Sequence, residues 1–188
     1  MKKLALVLAL ASIAGSALAA PQTYAIDPTH TQPRFEYNHF GYSNQMHSFD
    51  KTSGTIVYDK AAKTGSVDVT IDAKSVNTGY PLFNEHIQDE DFFNTAKYPT
   101  ITFKSTAVKF DGDKPVSVDG NLTIKGVTKP VTLKVTHFVN MPHPMLKKDA
   151  IGANATTTIK RTEFNAGKYA PNVGDEVTIT VSLEAIKN

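Results

Sequence analysis

The sequence predicts an all-β domain of about eight antiparallel strands with one short helical segment. Apolar and polar residues alternate with a period of two in several short runs, which is the spacing of half-buried strands. Stretches rich in Gly, Pro, Asp or Lys separate these runs at 59–65, 111–115 and 125–130. Such residues form tight connections between antiparallel strands. Only one stretch, residues 81–87, has helical spacing.

The predicted strands follow from these runs in chain order. Their apolar faces carry Phe35 and Tyr37 with His39, then Val67, Val69 and Ile71, then Ile101 and Phe103, then Leu122 and Ile124, then Val131, Leu133 and Val135, and finally Val177, Ile179, Val181 and Leu183. Two architectures can bury such faces. A sandwich packs the inner faces of two sheets together, whereas a closed barrel of about eight strands can hold a ligand in its lumen. Periodicity alone leaves both open.

The helical stretch begins at Pro81, a residue suited to the first turn of a helix. One predicted helical face carries Leu82, Phe83, His86 and Ile87. Three acids at 89–91 then run directly into Phe92 and Phe93. We expect the acids to form a solvated edge and the two phenylalanines to turn inward. There the pair either fills an ordinary core or lines a cavity for an apolar ligand.

Residues 1–19 predict a secretory signal peptide. A basic start at 1–3 precedes an apolar run that ends in the small-residue site Ala17-Leu18-Ala19. The run is about as long as a membrane span requires, so a retained anchor is the competing interpretation. The small residues and the polar stretch after Ala20 favour cleavage. We therefore predict a leader over 1–19 and one exported domain over 20–188.

The composition excludes several functional classes. The chain contains no Cys, which rules out disulfides and thiol chemistry. It has 20 Lys and Arg against 18 Asp and Glu, and Lys2 and Lys3 leave with the leader, so the exported chain is balanced. That balance argues against a general binder of nucleic acid or anionic membranes. No nucleophile elbow, phosphate loop or H-E-x-x-H motif occurs, so we predict a protein that is not an enzyme and uses no cofactor.

Five stretches of the chain resemble, in order, the signatures of the YceI-like family. They are "YAIDPTHTQPRFEYNHFGYS" at 24–43, the segment from Glu85 to Thr106, "VDGNLTIKGVTKPVTLKV" at 118–135, "ATTTIKRTEF" at 155–164 and "VGDEVTITVSLEA" at 173–185. Together they span essentially the whole exported chain. The resemblance implies an eight-stranded antiparallel lipocalin-like barrel in the bacterial periplasm, which holds an isoprenoid-type or other fatty chain in an elongated apolar lumen.

The resemblance implies a periplasmic protein that carries or scavenges an isoprenoid-tailed lipid, either a polyisoprenoid or a quinone, by burial alone. The ligand-binding residues predicted on this basis are Phe35, Tyr37, His39, Phe83, His86, Ile87, Phe92, Phe93, Ile101, Phe103, Phe138 and Phe164. The predicted partners are the lipid itself and a transient contact with a membrane or a membrane protein. The alternative is a β-sandwich interaction module that partners a membrane redox protein and has a filled interior.

Two metal hypotheses each have a simpler interpretation. His30, His39 and His47 carry imidazole ligands, but their spacings match no standard zinc pattern. The segment 141–145, "MPHPM", offers thioether and imidazole ligands that suit Cu(I). The same alternation also fits a Pro-rich extended segment with two Met packed over a barrel mouth. We therefore predict no metal site.

Overall fold

The computed structural model describes residues 20–188, so the predicted leader at 1–19 lies outside the described residues. The described chain forms eleven strands, one α-helix and two short 3-10 turns. The strands are β1 (Gln22–Ile26), β2 (Gln32–His39), β3 (Ser43–Phe49), β4 (Thr52–Asp59), β5 (Thr64–Asp72), β6 (Val76–Asn77), β7 (Thr100–Asp111), β8 (Lys114–Ile124), β9 (Val127–Pro142), β10 (Asp149–Lys160) and β11 (Val173–Lys187). The helix α1 spans Pro81–His86, and the 3-10 turns span Ala73–Ser75 and Arg161–Phe164.

The strands form a closed antiparallel barrel. Hydrogen bonding runs in the order β1, β4, β5, β7, β8, β9, β10 and β11, and the ring closes where β1 pairs with β11, with Tyr24 opposite Lys187. The predicted eight-stranded all-β barrel with one short helix is therefore confirmed, and the two-sheet sandwich is not formed. Closure leaves no free edge in this ring, which removes a common route to aggregation.

At three of the eight positions in the ring, two shorter strands follow one another with a break between them. β2 follows β1 along β11, β3 continues into β4, and β6 continues β5 after a 3-10 turn. Backbone hydrogen bonds join the second and third breaks, from Asp50 N to the Ser75 oxygen and from Asp72 N to the Lys51 oxygen, both 3.0 Å long. These two hydrogen bonds connect the neighbouring breaks.

The barrel has two distinct ends. The α1 end carries α1, the segment 87–98, the β2–β3 turn, the β8–β9 turn and the loop 161–172. The terminal end carries both ends of the described chain and the turns between β4 and β5, β7 and β8, and β9 and β10. Lys125 ties the α1 end together, because its Nζ donates to the backbone oxygens of Glu90 and Asn165 at 2.6 and 2.7 Å.

The β8–β9 connection is shorter than the sequence predicts. The expected turn at 125–130 is a two-residue hairpin turn, and Val127 already begins β9. Lys125 and Gly126 have φ values of 50° and 74°, the left-handed conformation at both central positions that matches the twist of a tight hairpin. The Pro in this stretch, Pro130, is accommodated within the long strand rather than in the turn.

Gly120 on β8 makes room for the Phe103 ring of the adjacent strand. A Cβ at this position would lie 2.5 Å from Phe103 Cζ and 2.6 Å from the Lys104 carbonyl oxygen. We expect Gly120→Ala to lower the free energy of unfolding by about 1–3 kcal/mol, because the ring or the strand must move. Urea unfolding measures this loss. Gly152→Ala is the control, since its Cβ would meet only the tip of Val139 at 3.1 Å, and equal stability of the two variants would contradict the prediction.

Candidate functional site

An elongated apolar cavity of about 260 Å³ runs through the barrel. Its volume is close to the lower end of the range of about 300–1,000 Å³ that ligand pockets occupy. Val177 and Leu183 of β11 both line it, and at about 3.3 Å per residue these positions lie about 20 Å apart along the strand. The inner strand faces place almost only aliphatic and aromatic side chains on the wall, so the cavity suits a long apolar molecule.

α1 and the segment after it close one end of this cavity. Phe83 packs against the His47 ring with centroids 5.4 Å apart, and Phe93 packs edge-on against Phe35 and Phe49 at 5.7 and 5.4 Å. The Phe93 backbone N–H donates to the Ile87 oxygen at 3.1 Å. This hydrogen bond folds the chain back at the acidic stretch, so that the acids face solvent while the phenylalanines turn inward.

A small polar group lies among the aromatic residues of the α1 end. The Tyr37 hydroxyl is 3.1 Å from His47 Nε2, and both side chains are buried. Burial raises the pKa of Tyr37, and the nearby positive charge of Arg161 lowers it by a smaller amount. Burial also lowers the pKa of His47, so the neutral imidazole is favoured. Tyr37 and Arg161 both line the cavity.

The structure places ten of the predicted ligand-binding residues on the cavity wall. They are Phe35, Tyr37, Phe83, Ile87, Phe92, Phe93, Ile101, Phe103, Phe138 and Phe164. Contact with a ligand remains a prediction for each of them. The remaining two, His39 and His86, are exposed outside the wall. His39 stacks edge-on against Phe40 at 4.7 Å, and His86 Nδ1 lies 3.4 Å from Asp89 Oδ2.

The predicted helical face is only half correct. Phe83 and Ile87 point to the cavity, but Leu82 is 63 % exposed and His86 is exposed as well. A helix this short that caps a barrel end buries only a narrow face. Two residues four positions apart, Phe83 and Ile87, are enough to occupy it. Leu82 is therefore on the outer surface.

Sequence reasoning missed part of the wall. At the terminal end, Ile56, Tyr58 and Ile151 form a second core cluster that lines the same cavity. At the α1 end, Phe49 and the cation of Arg161 also line it. Ile56 and Tyr58 are two positions apart, as residues on one strand face are, but the run is short and the apolar Val57 between them interrupts the alternation of apolar and polar residues.

The metal hypotheses find no support in the geometry of the described chain. His30 lies near Asp27 and Glu184, and the three potential ligand atoms fall within 4.8 Å of one another, whereas neither His39 nor His47 belongs to this group. In the "MPHPM" segment, His143 Nδ1 accepts hydrogen bonds from the backbone of Met145 and Leu146. Met145 is 82 % exposed rather than packed over a barrel mouth.

Asp27 and His30 form a pH-sensitive pair at the break between β1 and β2. Hydrogen bonds from the Thr29 hydroxyl and from His30, 2.7 and 2.8 Å long, lower the pKa of Asp27 to about 2. The hydrogen bond to Asp27 raises the pKa of His30. The ionised Asp27 therefore stabilises the fold above about pH 4, and this contribution is lost as the pH falls towards 2. The contribution of protonated His30 is complete below about pH 6.5 and is lost as the pH rises through its folded pKa.

We expect Asp27→Asn to destabilise the protein most near pH 5, where both members of the pair are charged. The loss should be small, because solvent screens a pair at this surface. Denaturant unfolding of both proteins at pH 2.5, 5 and 9 measures it. A difference between the proteins that is constant across this range would contradict the assignment.

Comparison with known proteins gives a consistent picture. Residues 24–185 match the YceI-like domain family. Protein YceI of Escherichia coli O157:H7 is 38% identical over 191 residues, which span 100% of this chain and 99% of that protein. The crystal structure of BcnA from Burkholderia cenocepacia superposes with a TM-score of 0.73 at 29% identity, and covers 85% of this chain and 99% of its own.

A third similarity is in fold alone. The structure of a polyisoprenoid binding domain from Saccharophagus degradans superposes with a TM-score of 0.68 at 21% identity, and covers 89% of this chain and 99% of its own. Among residues 20–188, no helix has both the length and the apolar character needed to cross a membrane.

Proposed function

Because the chain belongs to the YceI-like domain family, we propose that it binds an isoprenoid-tailed lipid inside the barrel. The observation that carries this proposal is the single apolar cavity that connects the two ends of the lumen. A filled interior, as an interaction module would have, leaves no such space. The polyisoprenoid binding domain of Saccharophagus degradans shares the fold and supports the same ligand class.

Burial supplies the binding energy in this function. Each methylene removed from water contributes about 0.8 kcal/mol, so a long tail binds tightly even without hydrogen bonds. The wall is built from inner strand faces whose backbone hydrogen bonds are satisfied within the barrel, so an apolar tail meets no unsatisfied backbone group there. The protein acts as a carrier or scavenger and carries out no covalent step.

The same proposal places the protein in the periplasm and includes quinones among its ligands. The predicted leader at 1–19 supports export. The short segment α1 and residues 87–98 cover one end of the cavity by side-chain packing and local turns. Ligand exchange would then require this segment to move, together with a brief contact with the membrane that supplies the lipid.

Native mass spectrometry of gently extracted protein tests the function directly. We expect a bound mass in addition to the polypeptide, and organic extraction should recover a lipid with an isoprenoid tail. Protein that has been unfolded, washed and refolded is the control, and it should show the polypeptide mass alone until lipid is returned. A bare polypeptide in both preparations, with no lipid extracted and none taken up, would contradict the proposal.

A further inference from the structure

We propose that the α1 end of the cavity is a head-group site, and that it takes a lipid whose head carries a hydrogen-bond-accepting oxygen with negative charge or strong polarity. Carboxylate, phosphate and carbonyl oxygens share this chemistry. The proposal rests on the proposed function, because it assigns an orientation and a head-group class to the same ligand. It is carried by Arg161, Tyr37 and Thr52, three of the polar residues on a mostly apolar wall.

Arg161 brings a positive charge to the cavity wall, and within residues 20–188 no carboxylate forms a salt bridge with it. Its Nε donates to the Gly174 oxygen at 2.8 Å, Nη1 to Ala166 and Lys168 at 2.8 and 3.3 Å, and Nη2 to Val173 at 2.7 Å. A guanidinium has five N–H groups, so one on Nη2 remains for a further acceptor. Asp175, the nearby acid, accepts instead from the backbone and hydroxyl of Thr162.

The charge of Arg161 is not isolated at this end. Lys125 is likewise held by two backbone oxygens, and neither cation forms a salt bridge within residues 20–188. The three acids at 89–91 also lie at this end, but they face solvent, whereas Arg161 lines the cavity. In a cavity of low dielectric the guanidinium charge attracts an electron-rich oxygen and disfavours an ammonium group.

Tyr37 supplies a neutral donor beside this charge. Its hydroxyl shares a 3.1 Å hydrogen bond with His47 Nε2, and the tautomer of His47 decides which atom donates. When Nε2–H donates, the phenol proton is free to bind a ligand oxygen. In this tautomer the pair can accept a head group without losing its own hydrogen bond.

The buried hydroxyl of Thr52 is an independent observation that points to a ligand. Its side chain is only 3 % exposed and lines the cavity, yet its hydroxyl has no hydrogen-bond partner within the described residues. Thr52 pairs with Ile71, which packs in the core cluster of the α1 end. Buried hydroxyls are normally satisfied, and a ligand oxygen in this half of the cavity would satisfy this one.

Among the described residues, the tyrosines of the terminal end do not offer such a donor to the cavity. Tyr58 lines the cavity there, but its hydroxyl donates to the Asp113 backbone oxygen at 3.3 Å. The Tyr24 hydroxyl, which accepts from Asn140 Nδ2 at 3.1 Å, is not on the wall of this cavity. The remaining wall is formed by residues such as Phe110, Phe138 and Ile151. The two ends therefore differ in polarity, and the tail belongs at the terminal end.

A matched series of C16 compounds tests the head-group class. Delipidated protein is titrated with hexadecanoate, hexadecan-1-ol and hexadecylamine below their micellar concentrations, by displacement of a bound fluorescent apolar probe. We expect hexadecanoate to bind tightest and the amine weakest. Tyr37→Phe and Arg161→Gln should each weaken hexadecanoate about tenfold and leave the amine almost unchanged, because a hydrogen bond to a charged group is lost.

Tyr42→Phe is the matched control for Tyr37→Phe, since Tyr42 is 90 % exposed and away from the cavity. Arg161 also holds the loop 161–172, so Arg161→Gln is supplemented by Arg161→Lys, which keeps the charge. Equal affinities for the three compounds, or equal losses for all three in the Tyr37 and Arg161 variants, would overturn the head-group site while the lipid-binding function stands. Failure of the unmodified protein to bind any C16 compound would instead count against the proposed function.

The orientation is tested with spin-labelled fatty acids. Stearate labelled at carbon 16 should broaden the methyl signals of Ile151 at the terminal end more strongly than those of Ile101 in the core of the α1 end. Stearate labelled at carbon 5 should show the reverse order. The opposite pattern would place the head at the terminal end and overturn the proposal.

Discussion

Ala155→Phe is expected to abolish binding of long-chain lipids while the barrel stays folded. Ala155 lies on the inner face of β10, opposite Val135 of β9 and Val181 of β11, and all three residues line the cavity. A phenyl ring there occupies the lumen near its middle. If it keeps about six methylenes of a tail out of the cavity, about 5 kcal/mol of binding free energy is lost, on the order of a thousandfold or more in affinity.

The matched control is Thr158→Phe on the outer face of the same strand, because Thr158 is exposed. Lipid retention should be unchanged in this variant. The stability of unliganded Ala155→Phe should stay within about 1–3 kcal/mol of the unmodified protein, since added packing in the cavity offsets local strain. Full retention of a long-chain lipid by a folded Ala155→Phe variant would show that the tail does not occupy the lumen.

Phe93→Asp is expected to abolish lipid retention by opening the wall at the α1 end. The substitution removes the edge-on contacts with Phe35 and Phe49 and places a carboxylate against apolar residues, where ionisation is unfavourable. We expect the free energy of unfolding to fall by about 2–4 kcal/mol. Thermal unfolding and lipid extraction measure the two effects separately.

Two further variants isolate the cause in the Phe93 experiment. Phe93→Leu keeps the wall apolar and should retain most of the lipid. Tyr42→Asp introduces the same charge in place of an exposed aromatic residue, and it should retain all of it. A folded Phe93→Asp protein that retains lipid as well as Tyr42→Asp does would remove Phe93 from the ligand site.

The strands that the sequence predicted best are those whose inner residues are large and apolar. β11 is an example, because Val177, Ile179 and Leu183 alternate with polar residues and lie on one inner face, as predicted. β10 gave no such signal, because its inner positions carry small residues such as Ala153 and Ala155. Small inner residues leave space in the lumen. The same small residues give no clear apolar alternation, so the strand is difficult to recognise in the sequence.

The positions of the predicted ligand-binding residues follow burial in the same way. The aromatic residues were placed on the wall because their size requires burial, and resemblance to the family pointed to the same segment. His39 and His86 were included for their chemistry, and both lie on the outside. Arg161 was overlooked because a lone Arg carries no periodic signal, and its four backbone acceptors come together only when the loop 161–172 folds.

The pairing of β1 with β11 brings the two ends of the described chain together. The Asn188 backbone N–H donates to the Thr23 oxygen at 3.1 Å, at the end of the barrel opposite α1. A short linker between these ends, with new termini cut into the exposed β7–β8 turn at Gly112, should therefore yield a circular permutant with the same lumen. For the same reason, a protein immobilised on a sensor surface through Asn188 would present its α1 end to the solution.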